Sequence, residues 1–71
     1  MKITKQQAKE TGDALRVDWR TTDLEQFRMG LEVELEHKNV TGGDLELTGM
    51  IALAHLDENA HYYTALKKAG L

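Results

Sequence analysis

The sequence predicts an all-α fold, a compact bundle of three to four short helices. Proline, a strong helix breaker, is absent from the 71 residues, so none of the predicted helices is interrupted by it. Apolar residues recur at three- and four-residue spacing along most of the chain, which is the period of an amphipathic helix. Strand-like runs occur only at residues 15–19 and 39–41, and both are too short to form a sheet. We therefore expect residues 1–71 to form a single small helical domain.

The first helix is predicted over about residues 5–15. Thr4 and Gln7 have the three-residue spacing of a capping box, in which each side chain bonds the backbone N–H of the other residue. Trp19 follows in a short connector. Because it is the single tryptophan of a small chain, we interpret it as a core anchor.

The second helix has the clearest predicted start. Thr22 and Glu25 again have capping-box spacing, and the helix is expected to end near His37. Gly30 lies inside it, where glycine costs up to about 1 kcal/mol, so we expect another helix to cross closely there. One apolar stripe faces the core and consists of Leu24, Phe27, Leu31 and Leu35.

Two further helices are predicted after a glycine-rich turn. Asp44 is the expected N-cap of a third helix over about residues 45–58, and Asn59 that of a fourth over about residues 60–68. Gly70 is the expected helix stop. The large apolar residues on the predicted inner faces should form one core, made of Trp19, Phe27, Leu31, Leu35, Ile51, Leu56 and Leu66.

Charge and composition argue against several classes of protein. The net charge of −3 argues against direct binding of nucleic acid, which needs a clustered basic surface. No run approaches the roughly 20 apolar residues of a membrane span, and the first residues lack the apolar stretch of a signal peptide. The absence of cysteine excludes disulfides and thiolate metal sites. We expect a cytoplasmic protein without a membrane partner, either a monomer or a weak homodimer.

Glu34, His37 and His55 carry the most distinctive chemistry of the sequence. Each lies on or beside the apolar face of a predicted helix, where an ionisable group needs a hydrogen bond, an opposite charge or a metal. In a first interpretation, Glu34 and His55 form a structural hydrogen-bonded pair that fixes the register of two helices. In a second, all three residues bind a metal, since Glu34 and His37 have the i, i+3 spacing of helical metal sites. In a third, a Glu–His pair performs acid–base catalysis.

We expect no cofactor and no enzymatic activity, and we assign no catalytic residue. The chain has neither cysteine nor serine to act as a nucleophile. A domain of this size also leaves little room for a ligand pocket of about 300 Å³ or more. Zinc is the alternative cofactor, and it would occupy the metal site described above.

The expected functional surface is a protein interface. It involves Tyr62, Tyr63 and Asp44, at the end of the molecule that carries the glycine loop, because tyrosine supplies contact area at low entropic cost. The competing interpretation is that both rings pack against the first helix. Met29 and Val33, on the outer face of the second helix, are the alternative interface.

Two segments resemble the signatures of an uncharacterised family of small bacterial, archaeal and phage-encoded helical domains. Residues 27–37 read FRMGLEVELEH, and residues 48–56 read TGMIALAHL. The resemblance extends over nearly the whole chain and implies a helical domain without an assigned activity. This chain departs from the family pattern after the first signature, where Lys38 replaces a usual glycine and the following loop is shorter.

The expected function is that of a small, non-enzymatic protein-interaction domain with an unidentified protein partner. The resemblance further implies a domain carried by a phage or other mobile element, where it would act as an inhibitor of a host system, of the anti-defence type. The alternative function is a metal-binding domain that uses Glu34, His37 and His55.

Overall fold

The computed structural model describes residues 2–36 and 42–70. Within these ranges the chain forms four helices and no strand, which confirms the predicted all-α bundle. The helices are α1 (Lys5–Ala14), α2 (Leu24–Leu35), α3 (Leu45–Glu58) and α4 (Tyr62–Lys68). None of these helices has the length and apolar character needed to cross a membrane.

Two helix starts are the predicted ones. The side chain of Thr4 accepts a hydrogen bond from the backbone N–H of Gln7, and the Gln7 side chain accepts one from the N–H of Thr4, which completes the capping box. At the start of α3, the Asp44 carboxylate accepts from the N–H groups of Glu46 and Leu47. These caps satisfy backbone donors that have no partner inside their helix.

The other two helix starts correct the sequence prediction. The N-cap of α2 is Asp23 rather than Thr22, and its carboxylate accepts from the N–H of Gln26. A carboxylate at this position also faces the positive end of the helix dipole, which favours it over the hydroxyl one residue earlier. Helix α4 begins at Tyr62, because Asn59 bonds the N–H of His61 within a turn and does not cap the helix.

Helix α2 lies at the centre of the bundle and packs against the other three helices. Of the predicted core, Phe27, Leu31, Leu35 and Leu56 are buried, while Trp19 and Leu66 are partly buried at its edge. Ile51 is only partly buried and lies outside the core cluster, which corrects the prediction. The inner face of α3 is the i, i+4, i+8 row Thr48, Ala52 and Leu56, and Ile51 is rotated about 100° from that row. Among the described residues, four more belong to the core: Ile3, Ala8, Ala52 and Tyr63.

The close helix crossing predicted at Gly30 is present. A β-carbon built on Gly30 lies 2.6 Å from Cε2 of Tyr63 and 2.9 Å from Cβ of Ala52. Both distances are shorter than van der Waals contact, so this position of α2 accepts only a hydrogen atom as a side chain. Glycine here allows α2, α3 and α4 to meet.

The N-terminal segment is fixed to the middle of α2 by its main chain. The N–H of Ile3 donates to Oε2 of Glu32 at 2.7 Å, and Nη1 of Arg28 donates to the carbonyl oxygen of Ile3 at 3.1 Å. Arg28 also forms ion pairs with Glu25 and Glu32, and the hydrogen bond with Glu25 is the main cause of its raised pKa. The Ile3 side chain is 4% exposed.

Candidate functional site

The buried polar centre of the bundle is a carboxylate held by a tyrosine. Glu34 lies near the end of α2 and is 8% exposed. The hydroxyl of Tyr63, on α4, donates to Oε2 of Glu34 at 2.9 Å. A carboxylate this deeply buried requires such a donor, because its desolvation is otherwise uncompensated.

The structure also brings together the two residues of the predicted pair. Nε2 of His55 lies 3.5 Å from the same Oε2 atom of Glu34, a distance suited to an ion pair when the imidazole is protonated. The short hydrogen bond to Glu34 is made by Tyr63, however, and not by His55. The His55 side chain is 35% exposed, so it covers the outer side of the carboxylate.

Aromatic rings surround this polar centre. The imidazole of His55 stacks on the ring of Tyr62, with 4.5 Å between centroids and 6° between planes. The rings of Tyr62 and Tyr63 meet edge to face at 5.0 Å. The stack of His55 on Tyr62 joins α3 to α4, and the contact between Tyr62 and Tyr63 orients the two rings within α4. We refer to Glu34, His55, Tyr62 and Tyr63 as the polar cluster.

The sequence did not indicate the role of Tyr63 as the donor to Glu34. The two residues are separated by 29 positions, so no local spacing links them. The available signal was the sequence Tyr62-Tyr63 itself, because a buried tyrosine needs a partner for its hydroxyl and Glu34 was the predicted buried acceptor.

Burial raises the pKa of the Tyr63 phenol well above its ordinary value of 10.0, and the hydrogen bond to Glu34 raises it further. A phenolate at this place would lie beside a carboxylate in a poorly solvated site. The phenol is therefore a neutral donor, and its folded-state pKa exceeds the unfolded value. The stabilisation that the hydrogen bond from Tyr63 to Glu34 provides is therefore present below about pH 10, and it is lost as the pH rises beyond that value.

We expect Tyr63→Phe to lower the free energy of unfolding by about 1–2 kcal/mol, because Glu34 stays buried without its hydrogen-bond donor. Chemical denaturation of both proteins measures this difference. Tyr62→Phe is the matched control, since the Tyr62 hydroxyl makes no hydrogen bond within the described residues, and it should change stability by less than about 0.5 kcal/mol. Tyr63→Phe should also lose less stability than the parent protein above about pH 10. Equal effects of the two variants would contradict the assignment of Tyr63.

Two of the three residues of the predicted metal site, Glu34 and His55, are among the described residues. His37 lies outside the described residues, and within residues 2–36 and 42–70 no three histidine or carboxylate side chains converge as metal ligands. Glu34 and His55 are close together, but one oxygen of Glu34 already accepts from Tyr63. By themselves, Glu34 and His55 can form an ion pair that links α2 and α3.

The predicted interface residues have different surroundings. Tyr63 is 2% exposed and packs against Gly30 of α2, so its ring offers no contact area to a partner. Tyr62 is partly exposed, and Asp44 is exposed but caps α3. The alternative pair, Met29 and Val33, is partly buried against the core.

Residues outside the polar cluster line a groove at the surface of the bundle. An open groove of about 820 Å³ runs between residues 19–23 and the outer face of α3 and ends near His61. This corrects the expectation that the domain is too small for such a volume, because the groove is open to solvent and needs no enclosing core. Its apolar wall includes Trp19, Met50 and Leu53, and its polar groups include Arg20, Asp57 and His61.

Comparisons with known proteins place the chain in a family. No curated protein and no solved structure matches the chain. A family model matches residues 8–70, which include both signature segments and all members of the polar cluster. The expectation of an uncharacterised family is thereby confirmed, and the chain belongs to the family described as Protein of unknown function (DUF5661).

Proposed function

We propose that this chain is a small, non-enzymatic protein-interaction domain, and that the groove between residues 19–23 and α3 binds a segment of its protein partner. The observation that carries this proposal is the apolar wall of the groove, in which Met50 is exposed while Trp19 and Leu53 are partly buried. Met50 is 56% exposed in the middle of α3, where a helix of an isolated domain normally presents polar residues.

The groove has the composition of a protein-binding surface. Trp19 and Met50 belong to the residue types that are enriched at interfaces, and Leu53 continues the apolar wall. Arg20 and His61 also line the groove, and their exposed side chains carry further hydrogen-bonding groups for a partner. Trp19 is held in place because its Nε1–H donates to Asp13 at 2.8 Å, so this wall is formed before a partner arrives.

The polar cluster serves the fold in this proposal. Tyr63 and Glu34 are buried, and each uses its polar atoms on the other. Among the described residues the cluster does not line the groove. An inhibitor of a host system, the narrower expectation from the resemblance, would use the groove in the same way and is included in the proposal.

The test is a selection of peptides from a displayed random library against the intact protein. Peptides selected in this way should lose at least about tenfold in affinity for Met50→Glu, because the substitution places a charge in the apolar wall. Leu47→Glu is the matched control. Leu47 is 40% exposed on the same helix but does not line the groove, so its substitution should change the affinity by less than about twofold.

Circular dichroism and thermal melting establish that both variants remain folded, which is expected because both side chains are exposed. The proposal is wrong if the library yields no binding peptide. It is also wrong if Met50→Glu binds the selected peptides as tightly as the parent protein, or if Leu47→Glu weakens them equally.

A further inference from the structure

The charge of the chain is distributed unevenly along the sequence. Residues 42–66 contain four acidic residues and neither lysine nor arginine; the acids are Asp44, Glu46, Asp57 and Glu58. This segment, which forms α3 and most of α4, therefore accounts for more than the whole net charge of −3. The rest of the chain has a slight basic excess.

Four acids outside α3 form ion pairs with a lysine or an arginine, whereas the acids of α3 form none within the described residues. Lys9 pairs with Asp13, Arg20 with Asp18, and Arg28 with both Glu25 and Glu32. The side chains of Glu46 and Asp57 are exposed and make no hydrogen bond or ion pair within the described residues. These two carboxylates therefore remain free to bind a cation from outside.

Asp57 lines the groove together with Met50 and Leu53, whereas Glu46 does not line it but lies on the same face of α3. Glu46, Met50, Leu53 and Asp57 follow one another at spacings of four, three and four residues, which places them on a single stripe of the helix. We call these four residues the α3 stripe. At 1.5 Å per residue the two acids stand about 16 Å apart along the axis, with the apolar pair between them.

We propose that the partner segment is a basic amphipathic helix, whose apolar side chains contact Met50 and Leu53 and whose lysine or arginine residues near its two ends pair with Glu46 and Asp57. This rests on the proposed function and specifies its ligand. A helix with two basic positions about eleven residues apart matches the span of the α3 stripe. Opposite charges at both ends fix how the segment lies along α3 and exclude acidic competitors.

The direct test uses two designed helical peptides of about 16 residues with identical apolar positions. One has lysine at both end positions, and the other has glutamate there. Fluorescence anisotropy measures their binding to the intact protein at about 50 mM and about 500 mM NaCl. The lysine peptide should bind at least about tenfold more tightly than the glutamate peptide, and this preference should shrink at the higher salt concentration.

Charge reversal on the protein provides the matched comparison. Asp57→Lys should weaken binding of the lysine peptide by at least about fivefold and strengthen binding of the glutamate peptide. Glu10→Lys makes the same change in net charge at an exposed position of α1 outside the groove, and it should alter either affinity by less than about twofold. If the two charge reversals had equal effects, the net charge of the protein alone would explain the change in affinity, and the proposal would be contradicted.

Other possible results distinguish the basic nature of the partner from the proposed interaction function itself. If library peptides bind through Met50 but carry no basic residues, the interaction domain stands and the basic partner is wrong. If binding of every peptide survives Met50→Glu, the function itself is wrong. If the protein alone sediments as a dimer that Met50→Glu dissociates, a second copy occupies the groove, and the basic-helix proposal is overturned.

Discussion

Phe27→Ala is expected to unfold most of the protein at room temperature. The Phe27 side chain is completely buried, contacts Trp19 edge to face at 5.7 Å, and lies close to Gly49 of α3. Its removal should cost about 3–5 kcal/mol, because the surrounding helices cannot close the cavity. That loss is comparable to the whole stability expected for a chain of this size.

Far-ultraviolet circular dichroism with a denaturant titration measures this effect. Leu47→Ala provides the comparison at an exposed apolar position of the same bundle and should cost less than about 0.5 kcal/mol. If the Phe27→Ala protein kept its full helicity and a nearly unchanged denaturation midpoint, the core would not depend on the Phe27 ring.

Gly30→Val should have the second largest effect. A β-carbon at this position already overlaps Tyr63 and Ala52, and two γ-methyl groups would extend further into both. The neighbours are an aromatic ring and a helix, so neither can move aside without separating α2 from α3 or α4. We expect a loss of about 3 kcal/mol or more, from overpacking that exceeds any gain in helix propensity.

The contribution of the crossing can be separated from that of the helix itself. Gly30→Ala should lose less than Gly30→Val, and Ala52→Gly should recover part of the loss when combined with Gly30→Ala, since it removes one of the two contacts. Thermal melting of the parent protein, of Gly30→Ala, of Ala52→Gly and of the double variant measures the coupling. Stabilisation by Gly30→Ala alone would mean that the helices are not in close contact at this residue.

The parts of the fold that the sequence predicted depend on local chemistry. Thr4 with Gln7, and Asp44 by itself, define helix starts because each cap bonds a backbone group within three residues. Asp23 was missed because a threonine and an aspartate stand side by side before α2, and spacing alone does not decide between them. The glycine at position 30 predicted a close crossing, although it did not indicate which helix would cross.

The parts that were not predicted depend on residues far apart in the chain. Ile51 was predicted in the core because it is a large apolar residue, yet the small residue next to it, Ala52, faces α2 where space is limited. The bond between Tyr63 and Glu34 joins two helices across 29 positions. The groove arises where the connector after α1 passes α3, and its volume could not be inferred from chain length.

The hydrogen bonds that attach Ile3 to α2 affect which residues a comparison of family members needs to include. Glu32 and Arg28 bind the amide and the carbonyl of Ile3, which are atoms that nearly every amino acid shares. These two hydrogen bonds therefore depend on the backbone at this position and not on its side chain. Valine or leucine should replace Ile3 readily, whereas proline would remove the donated N–H. The family match begins at residue 8, beyond this contact. A comparison confined to residues 8–70 therefore leaves out a segment that is held to α2 by two main-chain hydrogen bonds.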